Sequence, residues 1–190
     1  MTSVPPLYIL RHGETTWNAM GRLQGHFHSD LTDLGRAQAE TQRAILGARD
    51  TDGFDLVSSP QGRALQTARI VMRDMPGHLR TDPALSEIGL GEWAGRDRAT
   101  LLAQTGAADG FALYELAPGG EGLDALQARC SAFIATLRRP AILVTHGITS
   151  RMLRLLLTGR PLADLRHVDG GQGVVFHVVD GRQYRLTLGA

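Results

Sequence analysis

An α/β fold, built on a largely parallel sheet with helices over both faces, is predicted by three features of this 190-residue chain. Short apolar runs of strand character alternate with longer stretches of helical periodicity. The run Ala141–Thr145 (AILVT) is apolar at every alternate and intervening position, the pattern of a strand buried on both sides. Two final runs, 173–179 and 183–188, flank Asp180-Gly181, a hairpin turn that adds an antiparallel edge strand.

The elements follow in order. Leu7–Leu10 is a short apolar strand that runs into Arg-His-Gly. From Thr32 to Ala48, Leu34, Ala37, Thr41, Ala44, Ile45 and Ala48 recur at helical spacing, with Thr32 as the N-cap. Asp55–Ser58 is the second strand. Ser59-Pro60 opens a helix, with Ser as cap and Pro in its first turn, that continues to about Met75, before Pro76-Gly77. His78–Thr81 reads as a third strand, 84–96 as a Gly-punctuated loop, and Arg98–Gln104 as a short helix. After Pro118-Gly119-Gly120, Leu123, Leu126, Cys130, Phe133, Ile134 and Leu137 mark the clearest helix, which Pro140 ends. A Leu-rich helix follows Thr145 and stops near Gly159. With no repeat or linker, residues 1–190 read as one domain.

Composition excludes several classes. A formal charge of +1 gives no reason to expect nucleic acid or a membrane surface as partner. All 20 basic residues are Arg, so Schiff-base chemistry and a P-loop lysine are excluded. The N-terminal sequence shows no basic leader followed by an apolar run, and no stretch is apolar enough to span a bilayer. One cysteine, Cys130, permits no intrachain disulfide, so a cytoplasmic setting is expected.

Polar residues collect where three strands end. These are Arg11-His12-Gly13, then Ser58-Ser59 with Arg63 one turn on, then Thr145-His146-Gly147. Parallel sheets bind ligands beyond the carboxyl ends of their strands. Arg11, His12, Arg63 and His146 are therefore expected to share one anion pocket, since guanidinium forks match phosphate oxygens and helix N-termini present N–H groups.

These same residues resemble the histidine phosphatase (phosphoglycerate-mutase-like) superfamily, branch 1. The resemblance lies in LYILRHGETTWN, LTDLGRAQAE, LVSSPQGRALQTA, LSEIGLGEWAG, PGGEG and ILVTHGITSRML, spread from residue 7 to about 155. It implies a three-layer α/β/α sandwich and a metal-independent phosphomonoesterase with no cofactor. His12 then matches the phosphorylated nucleophile. Arg11, Arg63 and His146 match the rest of the phosphate pocket, with His146 adding charge if protonated. Glu87 matches the proton donor, and its surroundings are expected to be apolar or acidic so that the acid form persists near neutral pH. Asn18, Gln24 and Gly147 match positions that reach the transferring group. Glu92 is the competing carboxylate.

Two departures bear on the reaction. The loop Gln24-Gly25-His26-Phe27-His28-Ser29-Asp30 has His28 and Asp30 where the family carries Asp and Pro, which points either to unusual substrate preference or to a solvent-facing loop. His26, His28 and Asp30 also have a spacing compatible with a metal, but such pairs are common on loops, and no metal is expected. The stretch from Gly95 to Gly119 is shorter than in the family's mutases, with only Arg96 and Arg98 as cations. It carries Phe111, Leu113, Tyr114 and Leu116, which form an apolar lid or pack on the core. The expectation is hydrolysis of a small phosphorylated metabolite through phosphohistidine. Mutase-type phosphotransfer and a non-catalytic phospholigand-binding protein are the alternatives, and a homodimer is left open.

Overall fold

The computed structural model describes residues 4–189. In chain order the elements are β1 (Leu7–Arg11), α1 (Thr16–Ala19), α2 (Asp33–Gly47), β2 (Asp55–Ser58), α3 (Gly62–Val71), β3 (Leu79–Thr81), α4 (Arg98–Thr105), α5 (Leu113–Leu116), α6 (Gly122–Thr136), β4 (Ala141–Thr145), α7 (Gly147–Leu157), β5 (Val175–Val179) and β6 (Arg182–Leu186). Short 3₁₀ turns occupy Pro83–Leu85, Gly91–Trp93 and Leu162–His167.

One six-stranded sheet has the order β3-β2-β4-β1-β5-β6. β3, β2, β4 and β1 are mutually parallel, and β5 joins β1 antiparallel. The terminal hairpin lies at the edge as expected. Its inner strand carries the antiparallel pairing with the rest of the sheet, and β6 turns back beside it. The hairpin turn holds Asp180 at φ 50° and Gly181 at φ 69°, the left-handed pair that such turns need.

Strand alternation sorts the core into two faces. Leu7, Ile9, Val57 and Leu143 pack with Leu126, Phe133, Met152 and Leu155 of α6 and α7. Tyr8, Leu10, Leu56, Ile142 and Val144 pack with Ala39, Ile45, Leu46, Ala64, Ala68 and Val71 of α2 and α3. The result is a three-layer α/β/α sandwich. A smaller cluster of Leu23, Leu90, Trp93, Leu101 and Leu113 supports the loops above the sheet. Among the described residues no helix is long and apolar enough to cross a membrane.

Two boundaries differ from the sequence reading. α3 begins at Gly62, with Gln61 as an N-cap that makes no side-chain bond, and ends at Val71 rather than near Met75. The Ser59 hydroxyl is needed elsewhere: it accepts from Gln61 N at 3.2 Å and lies 2.7 Å from His146 Nε2. The loop 84–96 contains two 3₁₀ turns, and α1, α5 and the 162–167 turn are too short to leave a periodic signal.

The sheet order is what builds the site. β2, β4 and β1 are neighbours, with Arg11 opposite Thr145 and Ser58 opposite Val144. The ladder runs one residue further, through His12 N to Thr145 O at 3.0 Å and Ser59 N to Val144 O at 2.9 Å. His12, Ser59 and His146 therefore leave the sheet side by side. α2 presses on the turn after His12, where Thr32 caps it by accepting from Gly35 N at 3.0 Å. A Cβ at Gly35 would meet Glu14 O at 2.0 Å, and one at Gly13 would meet Gly35 O at 2.1 Å. Backbone cannot yield to such overlap cheaply. Gly35→Ala is expected to lower the unfolding free energy by about 1–3 kcal/mol, read by urea denaturation. An unchanged midpoint would mean that α2 does not bear on the His12 turn.

Candidate active site

His12 stands at the floor of a cavity of about 430 Å³ above the carboxyl ends of the strands. Its Nδ1–H donates to Gly13 O at 2.7 Å, and its Nε2 accepts from Arg63 Nε at 3.2 Å. The ring is thus assigned a single tautomer, with the lone pair on Nε2. Burial, then the charges of Arg63 and Arg11, push the imidazole well below its ordinary range, so it is neutral.

Arg63 is 1% exposed and keeps its charge although burial pulls it down to about 10, with Glu87 acting in the opposite sense and Arg11 adding to the fall. Its remaining donors reach Phe27 O and Gly25 O at 2.8 Å and Gln61 Oε1 at 3.2 Å. Each carbonyl offsets part of the cost of a buried cation. Arg11 also lines the cavity, and its Nε is buried without a partner.

The rings of His12 and His146 stand edge to face, 5.1 Å apart. His146 is wholly buried. Burial, then Arg63, His12 and Arg11, push it well below its ordinary range. The condition set for His146 to add positive charge, that it be protonated, is disfavoured by these surroundings, which favour the neutral ring. Its Nδ1 is buried without a partner.

The 84–89 segment brings Glu87 to the same place. The Glu87 carboxylate accepts from Ile148 N at 3.2 Å, Thr149 N at 3.1 Å and Thr149 Oγ1 at 3.1 Å. The apolar or acidic surroundings expected for it are therefore absent; the first turn of α7 supplies hydrogen-bond donors instead. A Cβ at Gly147 would lie 3.5 Å from Glu87 Oε2 and 3.5 Å from Arg11 Cζ, in ordinary contact with both, so Gly147 sits between these two side chains. The segment itself is held at nearly every backbone group. Arg129 Nη1 donates to Ala84 O and Ser86 O at 2.6 and 3.0 Å, Thr145 Oγ1 to Leu85 O at 2.7 Å, and Gly89 N to Glu121 Oε2 at 3.1 Å.

Asn18 and Gln24 line the cavity as expected. Asn18 Oδ1 closes the capping box of α1 by accepting from Thr15 N at 3.2 Å, and Gln24 Nε2 donates to Thr15 Oγ1 at 2.8 Å. Glu92 is exposed and does not line the cavity. The 26–30 loop also stays outside the cavity. His26 Nε2 lies 2.9 Å from Glu87 O, and His28 pairs with Asp30 at 3.1 Å, so the two histidines are engaged separately. The loop acts on the site through backbone: Phe27 O holds Arg63.

Several residues were not foreseen. Arg22, Arg151 and Arg166 line the cavity from outside the 95–119 stretch, so the site is richer in cations than that stretch implies. Gln172 Nε2 donates to His12 O at 3.2 Å. Arg151, one helical turn past Gly147, was within reach of sequence reasoning; Gln172 and Arg129 carry no local signal. Of the apolar residues in the stretch, Phe111 and Tyr114 face the cavity, Leu113 is core, and Leu116 is exposed.

The two buried histidines make the fold sensitive to acid. In the unfolded chain each titrates near 6.5, whereas in the fold each stays neutral to lower pH. Below about pH 6.5 the unfolded state binds more protons, so stability falls as pH falls, by up to about 1.4 kcal/mol per pH unit for each histidine. Urea unfolding between pH 7 and 5 should show this decline, and a His12→Asn, His146→Gln double variant should flatten it. An identical slope in both proteins would show that neither ring is held neutral.

The chain is similar to known proteins in both sequence and fold. The family model described as histidine phosphatase superfamily (branch 1) matches residues 7–188. A glucosyl-3-phosphoglycerate phosphatase of Mycolicibacterium vanbaalenii is 36% identical over 186 residues, covering 88% of this chain and 80% of the relative. A probable phosphoglycerate mutase GpmB of Proteus mirabilis is 34% identical over 166 residues, covering 82% and 75%. The crystal structure of the alpha-ribazole phosphatase from Shigella flexneri superposes with a TM-score of 0.79 at 28% identity, covering 97% of this chain and 96% of that one. The chain belongs to the histidine phosphatase superfamily, branch 1.

Proposed function

We propose that this chain, acting as one domain, hydrolyses small phosphorylated metabolites by passing the phosphoryl group through Nε2 of His12. The observation that carries this reading is the fixed tautomer of His12: its Nδ1–H is held by Gly13 O and, among the described residues, its Nε2 lone pair meets only the Nε–H of Arg63. A substrate oxygen takes over that Arg63 donor and frees the lone pair for in-line attack on phosphorus. Arg11 and Arg63 then offset the charge on the equatorial oxygens, which supplies most of the catalysis in such transfers.

His146 contributes as a neutral donor. Ser59 Oγ accepts from Gln61 N and has one proton of its own, whose near partner is His146 Nε2. Given that bond, Nδ1 carries the ring's proton and has no acceptor until an oxyanion arrives. Glu87 gives a proton to the leaving oxygen and then takes one from the water that cleaves phosphohistidine. Its carboxylate, which lines the cavity, is held in place by Ile148 N and Thr149 N. The short 95–119 stretch and the phosphatase relative support hydrolysis over mutase-type transfer. A cytoplasmic setting belongs to the proposal, supported by the free, buried Cys130.

Turnover of p-nitrophenyl phosphate should persist in EDTA. His12→Ala should abolish both turnover and phosphoenzyme; near-normal turnover by that variant would remove the nucleophile assignment. Arg63→Ala should cost about 10²–10³ in rate. Quenched-flow measurement of phosphoenzyme formation tests the acid. Glu87→Gln should slow transfer from an alkyl phosphate by about 10²–10⁴ and from p-nitrophenyl phosphate, whose leaving group needs no proton, far less. Equal slowing of both would assign the proton to another group.

A further inference from the structure

The pairing of β1 with β5 stops at Leu10 and Val175, just before Arg11 and His12. Beyond it two glutamine side chains replace the ladder. Gln42 of α2, fully buried, donates from Nε2 to Arg11 O and to Val174 O, both at 3.0 Å. Its own Oε1 is buried without a partner among the described residues, a cost that the bridge between the two carbonyls offsets. Gln172 donates from Nε2 to His12 O at 3.2 Å and lies 3.4 Å from Asn18 Oδ1. Gln172 is not among the residues that line the cavity. Its segment is tied to α7, where Arg151 Nε donates to Val168 O at 2.8 Å and Arg154 Nη2 to Asp169 O.

The peptide between His12 and Gly13 is thereby held at both ends. Gln172 holds its carbonyl, and its N–H donates to Thr67 Oγ1 of α3 at 3.1 Å. The next carbonyl, Gly13 O, fixes Nδ1–H of the His12 ring at 2.7 Å. Rotation of this peptide plane moves Gly13 O, and with it the direction in which Nε2 points.

The same amide governs Asn18. Thr15 N can only donate, so the Asn18 atom 3.2 Å from it is the oxygen. His12 O can only accept, so Gln172 presents its nitrogen there. Thr15 N and Gln172 Nε2 thus both face Asn18 Oδ1, and the N–H donors of Asn18 are left for the cavity that it lines.

We propose that Gln172 is a positioning residue for phosphoryl transfer. It sets the aim of the His12 ring through that residue's own carbonyl, and it turns the donor end of Asn18 toward the phosphoryl oxygens. This rests on the phosphatase reading above and extends it to a residue behind the cavity.

Gln172→Met keeps the length and bulk of the side chain and removes the donor. Quenched-flow measurement with saturating p-nitrophenyl phosphate should show phosphoenzyme formation slowed by about tenfold or more, with a much smaller change in KM, because the loss falls on alignment for attack. A role in packing alone would lower the urea midpoint and leave that rate constant unchanged, which overturns the proposal. Adding Asn18→Ala to Gln172→Met should cost less than the product of the two separate losses, and the full product overturns the link to Asn18. Gln172→Glu, equally long but only an acceptor at neutral pH, is the second variant; the wild-type rate in it overturns the proposal as well. Phosphoenzyme that forms in the wild-type protein and in Gln172→Met alike, and disappears in His12→Ala, would remove Gln172 and keep the phosphatase reading. No phosphoenzyme and no phosphate release in the wild-type protein would bring down both.

Discussion

The hydrogen bond from Arg63 Nε to His12 Nε2, 3.2 Å long and between two buried side chains, is the constraint around which the site is arranged. A guanidinium can donate there only to an unprotonated nitrogen, so the contact, the burial and the neutrality of the ring require one another. The cation is tolerated because Gly25 O, Phe27 O and Gln61 Oε1 take its other donors. The 25–27 loop is therefore part of the electrostatics of the site although its exposed side chains stay outside the cavity. A buried cation beside a buried base is costly in an empty protein, and a phosphoryl dianion is the ligand that turns this cost into affinity.

The same economy governs Glu87. Its carboxylate is gripped by the first turn of α7, whose preceding residue is His146. Glu87 and His146 are thereby set by one strand-to-helix junction. The segment that carries Glu87 is pinned by Arg129, Glu121, Thr145 and Thr149, which lie on or beside three other elements. Glu87 is placed by backbone hydrogen bonds rather than by packing, which fixes a carboxylate more narrowly than an apolar pocket would.

Around this core the rim is assembled from distant parts of the chain. Arg22 precedes the buried Leu23, Arg98 starts α4, Arg151 lies on α7 and Arg166 in the 162–167 turn. Sequence proximity hides such a set: the 95–119 stretch looks poor in cations, while the cavity it closes is not. Charge that bears on substrate choice is a property of the enclosed volume, not of the segment that covers it.

The sequence by itself determined the layers and the floor of the site. Alternation in LYIL and AILVT required strands buried on two faces, Thr32 announced the cap of α2, and the polar residues that follow three strands had to meet if those strands were neighbours. Those signals are local, set by periodicity, capping and the geometry of parallel sheets. Only the tertiary structure decided that β4 lies between β2 and β1, that Ser59 serves His146 rather than capping α3, and that His146 is neutral. It alone surrounded Glu87 with N–H donors and brought Gln172 to the back of His12. The physical reason is the same in each case: desolvation and hydrogen-bond pairing depend on which atoms close around a group, and those atoms come from segments that no local pattern links.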